Sequence, residues 1–424
     1  MSRRLALLTA FLLLTQAACA DEKTDKEGFV PLFNGTDLKG WVHVNDWPGT
    51  WSVKDNLIVT TGYPIGFLRT EKMYENFILE FEWNHRPRKD NREGNSGMFV
   101  WADPLPAQGQ GSFARAIEVQ VLVNLEYKDK QGRITATSHG DLFSIWGAKC
   151  VPDRPHPLGW DRCIPSENRA NGEGEWNHYR VEANDGVIKL AVNGKIVSGV
   201  SKCTPRKGYL ALESEGSECR FKNLKIKEFP STKPRPEEVC DVAQGHKAMY
   251  DGLGIVGWRA SPDVAPHWIP RDTVLHYDGK GDTKDNSLTS GNEYGDAEFI
   301  VDFRFPAKGA TPCDFRLRSG KGGDIRVSVQ PDGNVKTEIE LAIGGQVVTD
   351  GSVHAFKHLK PAGQWNRLKA TLQGKTLTVT INGKETARDF PRIDTAKLGR
   401  GAFSMQSAGP MDYANLFVRE LKTP

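Results

Sequence analysis

The stretch Ala114–Asn124, "ARAIEVQVLVN", decides how the chain is read. Ile117, Val119 and Val121 alternate on one face, while Glu118 and Gln120 share the other. A period of two with one apolar side is the pattern of a half-buried β-strand. The same pattern recurs along the chain in "FILEFEW", "GMFVW", "HYRVEAN", "VIKLAVNGKIV" and "ECRFKNLKIKEF". Long helical periodicities are nearly absent. The Asn193-Gly194 pair inside "VNGK" marks a tight hairpin. With 43 glycines, 24 prolines and 11 tryptophans, the composition suits a turn-rich, all-β chain.

A length of 424 residues implies two domains or more. The stretch from Phe229 to Val239, "FPSTKPRPEEV", is rich in proline and charge and reads as a connection, with 231–239 as the linker proper. The half of the chain after this linker repeats the half before it. "LFNGTDLKGW" is echoed by "MYDGLGIVGW", "NFILEFEW" by "AEFIVDFRF", and "GYLALESEGSECRFKNLKIKEF" by "GAFSMQSAGPMDYANLFVREL". Several blocks in one order imply two copies of a single β-sandwich, at 21–230 and 240–424. The copies differ at the strand carrying Glu118, for "AIEVQVLV" becomes "GGDIRVSV" and no counterpart of "HGDLF" remains. Polar chemistry is therefore expected in the first copy.

The first twenty residues, "MSRRLALLTAFLLLTQAACA", have basic residues, a short apolar run and a small-residue end. That is the layout of an export signal with cleavage after Ala20, and it predicts a periplasmic or extracellular protein. The alternative is lipid attachment at Cys19. No later apolar run is long enough to span a membrane. Six cysteines remain, and an even count in an exported chain predicts disulfides, with Cys150–Cys163 and Cys203–Cys219 as the sequence-local pairs. No Cys/His spacing suits zinc. The net charge is only +3 with mixed signs, so no nucleic-acid-binding face is expected.

These blocks resemble the 3-keto-disaccharide hydrolase domain family. The likeness rests on "LFNGTDLKGW", "GNSGMFVW", "IEVQVL", "WNHYRV", the hairpin at Asn193-Gly194, and "LESEG" through "FKNLKIKEF". It covers nearly all of the first copy, and the opening, hairpin and closing strands of the second. The resemblance implies two concanavalin A-like jelly-roll domains in tandem. It also implies a saccharide partner, namely the glycosidic bond of 3-keto-glycosides, opened by deprotonation at C2, elimination and hydration. A non-catalytic sugar-binding protein and a conventional glycosidase are the alternatives. The chain departs from the family at Val123, where aspartate is common.

Such a route needs a base, an acid for the leaving group and a stabiliser for the enolate oxygen. Glu118 is the first candidate, because the family motif falls on it and its strand is apolar behind. His139 and Asp141 sit in "ATSHGDLFSIWGAK", read as a loop, and a histidine titrating near pH ~6.5 suits a base. Gln120, Asn95, Arg69 and Glu82 are candidate hydrogen-bonding groups for the sugar. Trp101 and Trp146 are candidate stacking surfaces, although packing in the core explains a tryptophan equally simply. Folds of this type often carry calcium or another divalent ion, but no contiguous calcium loop is present and no ligands are assigned.

Overall fold

The computed structural model describes residues 24–87, 94–271, 273–281, 285–343, 346–389 and 395–422. The export segment and Cys19 lie outside the described residues. Among the described residues the ladders between named strands are antiparallel, and three short 3-10 helices interrupt them, at Pro236–Glu238, Ala265–His267 and Thr395–Leu398. None of the described helices is long and apolar enough to cross a membrane.

The strands form two jelly-roll sandwiches in tandem. The first pairs a nine-stranded with a seven-stranded sheet, and the second an eight-stranded with a seven-stranded sheet. Alternation explains each layer. Ile117, Val119 and Val121 point inward to meet Phe81, Trp83 and Tyr179 of the facing sheet, in one continuous core. Phe299, Val301 and Phe303 do the same for the second sandwich. In the first seven-stranded sheet the order runs Arg162–Cys163, Ile134–Ile145, Ala116–Lys128, Asn95–Ala102, Tyr209–Ser214, Gly66–Thr70 and Trp41–Val44. The central strand Asn95–Ala102 therefore has one neighbour next to it in sequence, Ala116–Lys128, and one far downstream, Tyr209–Ser214.

The stretch holding His139 and Asp141 is part of the strand Ile134–Ile145, not a loop as "SHGD" suggests. Gly140 adopts φ +76° there, and the ladder bulges between the pairs Val119–Leu142 and Val121–His139. The Tyr179 hydroxyl fills the gap. It accepts from Gly140 N at 2.9 Å and donates to Gln120 O at 2.9 Å. A glycine that looks like a turn signal thus lets the strand continue around a side chain.

All six described cysteines are buried thiols, so the expected disulfides are absent from this structure. Cys203 sits beside Cys150 on neighbouring strands, whereas Cys219 lies opposite Thr60 and His85. Cys163 also lies near Cys150, so of the two sequence-local pairs it is Cys203 and Cys219 that the sheet holds apart.

The two sandwiches dock face to face. Outward-pointing Ile300 and Phe417 of the second join Val44, Phe67, Phe99, Ala116 and Ala211 of the first in a small buried cluster. Burying a side chain such as Phe417 contributes about 1.5–3 kcal/mol. The connection Asp103–Ala114 plugs into the second sandwich. Gly109 N donates to Asp302 at 2.6 Å, Arg367 to Pro106 O at 2.9 Å, and Asn415 to Ala107 O at 3.0 Å. Gly109 has φ +74°, and an added Cβ would come within 2.3 Å of the Trp365 ring, so only glycine fits. The proline-rich stretch is pinned to the first sandwich by Ser231 and Thr232 on Glu75 and by Arg206 on Glu238.

Candidate functional site

The outer face of the first seven-stranded sheet carries the polar cluster. Phe99 stands opposite Glu118 on one side and Ala211 on the other, and Gly97 stands opposite Gln120. One step further along, the strand Tyr209–Ser214 presents Glu213, which pairs with Phe67. Gly97 thus lies in a notch between two carboxyls. A Cβ there would fall 2.8 Å from Glu118 Oε1 and 3.0 Å from Glu213 Oε2. The missing side chain lets the two acids converge.

Both acids are buried, Glu118 at 4% exposure and Glu213 at 0%. Neither Glu213 oxygen accepts a hydrogen bond among the described residues. Burial pushes the Glu118 carboxyl well above its ordinary range, with the charges of Glu215 and Asp141 adding and Arg162 opposing. Glu213 is raised in the same way, by burial first and then by Glu215 and Glu118. Burial and the charges of their neighbours thus push both acids toward the protonated form. Glu215, half-buried just beyond the strand end, is raised by burial to about 7, while the proton of Glu213 and the amide of Asn95 pull it down. Three carboxyls therefore span an inner, protonated pair and an outer member that titrates near neutrality.

The expected hydrogen-bonding groups divide. Gln120 Nε2 donates to Asn95 Oδ1 at 2.9 Å, and Asn95 in turn holds Glu215, so these two belong to the cluster. Asp141 is nearby but fully engaged. It accepts from Thr137 N at 3.0 Å, from the Thr137 hydroxyl, and from Arg162 Nε at 2.5 Å. Arg162 also covers the Phe143 ring at 4.0 Å. Asp141 is thus an anchor for Arg162 rather than a free acid or base. His139 is opposite Val121 and buried; burial lowers its pKa against the pull of Asp141, leaving a neutral imidazole.

The remaining candidates lie elsewhere. Glu82 is on the strand Phe77–His85 of the other sheet, bound to Asn223 at 2.5 Å and Lys222 at 3.2 Å. Trp101 is wholly buried, with its indole N–H on Glu75 O at 2.9 Å, and packs in the core against Phe77. Arg69 donates to Pro104 O and Thr70 O and lines a cavity of about 460 Å³ between the sandwiches, with Asp103, Glu298 and Arg367. Trp146 is 47% exposed and rests against Phe113, beside the docked end of the sheet. Val123 is in the core, on the opposite side from Glu118. Among the described residues no group of three or more His, Cys, Asp or Glu side chains is arranged to hold a metal ion.

Sequence reasoning missed Glu213 and Glu215. Their signal was present in "LALESEG", where two acids two residues apart share a face just as Glu118 and Gln120 do.

The profile of the 3-keto-alpha-glucoside-1,2-lyase-like domain matches residues 28–227 and again 245–419. No curated protein matches the chain. Among solved structures, a candidate glycosyl hydrolase from Parabacteroides distasonis is 23% identical, covering 48% of this chain and 95% of its own, with a TM-score of 0.37. A second from the same organism is 18% identical over 47% of this chain and 99% of its own, at 0.31. The carbohydrate-binding module CBM66 from Bacillus subtilis is 15% identical over 39% and 96%, at 0.30.

Proposed function

Since both halves of the chain belong to the 3-keto-alpha-glucoside-1,2-lyase-like domain family and the protein is carbohydrate-active, we propose that its first sandwich opens the glycosidic bond of 3-keto-glycosides by proton transfer through Glu118, Glu213 and Glu215. The observation that carries this reading is the pair of protonated carboxyls meeting over Gly97, with Glu215 at about 7 beside them.

The chemistry follows from where the protons sit. In a 3-keto-glycoside the neighbouring carbonyl acidifies the C2–H bond. Glu215, partly ionised near pH 7 and the most solvent-facing of the three, takes that proton. The released pair forms the C1=C2 bond, and the C1–O bond breaks toward the leaving sugar. The leaving oxygen needs a proton, which the inner pair holds at neutral pH and regains from solvent afterwards. Water then adds across C1=C2: its hydroxyl goes to C1, Glu215 returns the abstracted proton to C2, and the remaining proton of that water replaces the one the inner pair gave up. Asn95 and Gln120 fix the outer carboxylate, and Arg162 limits how far the pair is pushed from ionising.

Export to the periplasm or beyond, from the basic and apolar N-terminal segment, is part of the proposal. The test is purified protein with paired 3-keto and unoxidised glucosides, followed by mass spectrometry for the glycal. Turnover of the keto substrate alone supports the reading; cleavage of the unoxidised sugar alone, or of neither, overturns it.

A further inference from the structure

The second sandwich keeps the register of the first but changes its chemistry. Arg326 stands opposite Arg316, and Arg316 opposite Ser404, as Glu118, Phe99 and Ala211 do in the first copy. One pair further on, Gln406 faces Asp314 where Glu213 meets Gly97. A carboxyl pair has become a mesh of arginine, aspartate and glutamine.

From this substitution we infer that the outer face of the second seven-stranded sheet is a binding site for a neutral saccharide, distinct from the carboxyl cluster of the first sandwich. A cavity of about 380 Å³ opens there, lined by Tyr277, Asn286, Asp314, Arg316, Arg326 and Gln406. That size is within the ~300–1,000 Å³ range of small-molecule sites. The first sandwich docks on the other, eight-stranded sheet through Ile300 and Phe417, so it does not cover this face.

The mesh is rigid before any ligand arrives. Arg316 donates to Asp324 at 2.9 Å and to Gln406 Oε1 at 3.0 Å. Arg326 donates to Glu338 at 2.5 Å and faces Asp314 at 3.8 Å. Locked guanidinium groups lose little freedom on binding.

Charge selects the ligand class. Each arginine of the lining is already paired with a carboxylate behind it, Arg316 with Asp324 and Arg326 with Glu338, and Asp314 adds a carboxylate on the lining itself. With both guanidinium groups neutralised in this way, the site offers no net attraction to an acidic sugar. It does offer donors and acceptors side by side, which suits hydroxyl groups that both donate and accept. Arg326, Gln406 and Ala408 stand where the first copy has Glu118, Glu213 and Glu215, so the site binds without turnover.

The experiment uses the full chain. Wild-type protein and Glu118→Gln are applied to an array of neutral gluco-, galacto- and manno-oligosaccharides, with D-glucuronate as the acidic probe, and hits are titrated by calorimetry. The expected result is saturable binding of a neutral glycan that survives Glu118→Gln. Gln406→Leu and Arg326→Lys should each weaken it at least tenfold with the thermal midpoint retained. Absence of binding to every neutral glycan, preference for glucuronate, or binding lost in Glu118→Gln but unchanged in Gln406→Leu would each overturn the inference.

Discussion

Raising the pH from 5 to 8.5 should weaken the first sandwich, and Glu215→Gln should remove part of that dependence. The carboxyl of Glu215 lies at about 7 in the folded chain against 4.5 in an unperturbed one, mainly through burial. The folded state therefore holds a proton that the unfolded chain has already released. Stabilisation from this group is complete below pH ~4.5 and is lost as pH rises through about 7. At ~1.4 kcal/mol per pKa unit, the shift corresponds to on the order of 3 kcal/mol. Because Glu215 is only half-buried, solvent screening brings the expected effect to about 1–3 kcal/mol. Glu118 and Glu213, raised in the same direction, add to the slope. Urea unfolding at a series of pH values, followed by tryptophan fluorescence, measures it in both proteins. The reasoning is refuted if wild-type stability rises between pH 5 and 8.5, or if Glu215→Gln keeps the full wild-type slope.

Three further outcomes are expected. Glu118→Gln should fold normally and lose ~10²–10⁴ in turnover on a 3-keto-glucoside, the usual cost of one acid–base group; wild-type turnover would make Glu118 a bystander. Gly97→Ala drives a methyl to within 2.8 Å of Glu118 Oε1, so thermal or urea melts should show a loss of ~1–3 kcal/mol with the carboxyls forced apart; an unchanged melt and unchanged activity would refute the convergence. Residues 24–230 alone should aggregate or lose activity because Phe67, Phe99 and Ala211 are laid bare, and Phe417→Ala in the full chain should make the docking region more sensitive to limited proteolysis. A monomeric, fully active fragment would show that docking is dispensable.

The last expectation reverses what the sequence implies, which is a first copy able to work alone. Alternation made the strands legible, and residue order alone placed Glu118 and Gln120 on one face. It could not say what lies over that face, because Ile300 and Phe417 read as ordinary strand residues of another domain. Glu213 escaped notice since its partnership with Glu118 depends on a register between strands far apart in the chain. His139 and Asp141 were placed near the right strand but in the wrong element, because Gly140 resembles a turn signal until the Tyr179 hydroxyl is seen beside it. Trp101 illustrates the opposite case. Its position after an apolar strand fits a core residue as well as a stacking platform, and burial decides for the core.

The central position of the strand Asn95–Ala102 also bears on how the protein is made. Its two neighbours are Ala116–Lys128, close behind it in the chain, and Tyr209–Ser214, which lies more than a hundred residues downstream. A growing chain can zip the first pairing early, but the other edge stays open until the late strand emerges. During that interval a row of unpaired amides and the bare rings of Phe67 and Phe99 are available to other chains. Slow closure of non-local pairings lengthens the exposure. Expression conditions that delay completion should therefore favour aggregation through this edge, and the two acids converge only when the last strand has closed over Gly97.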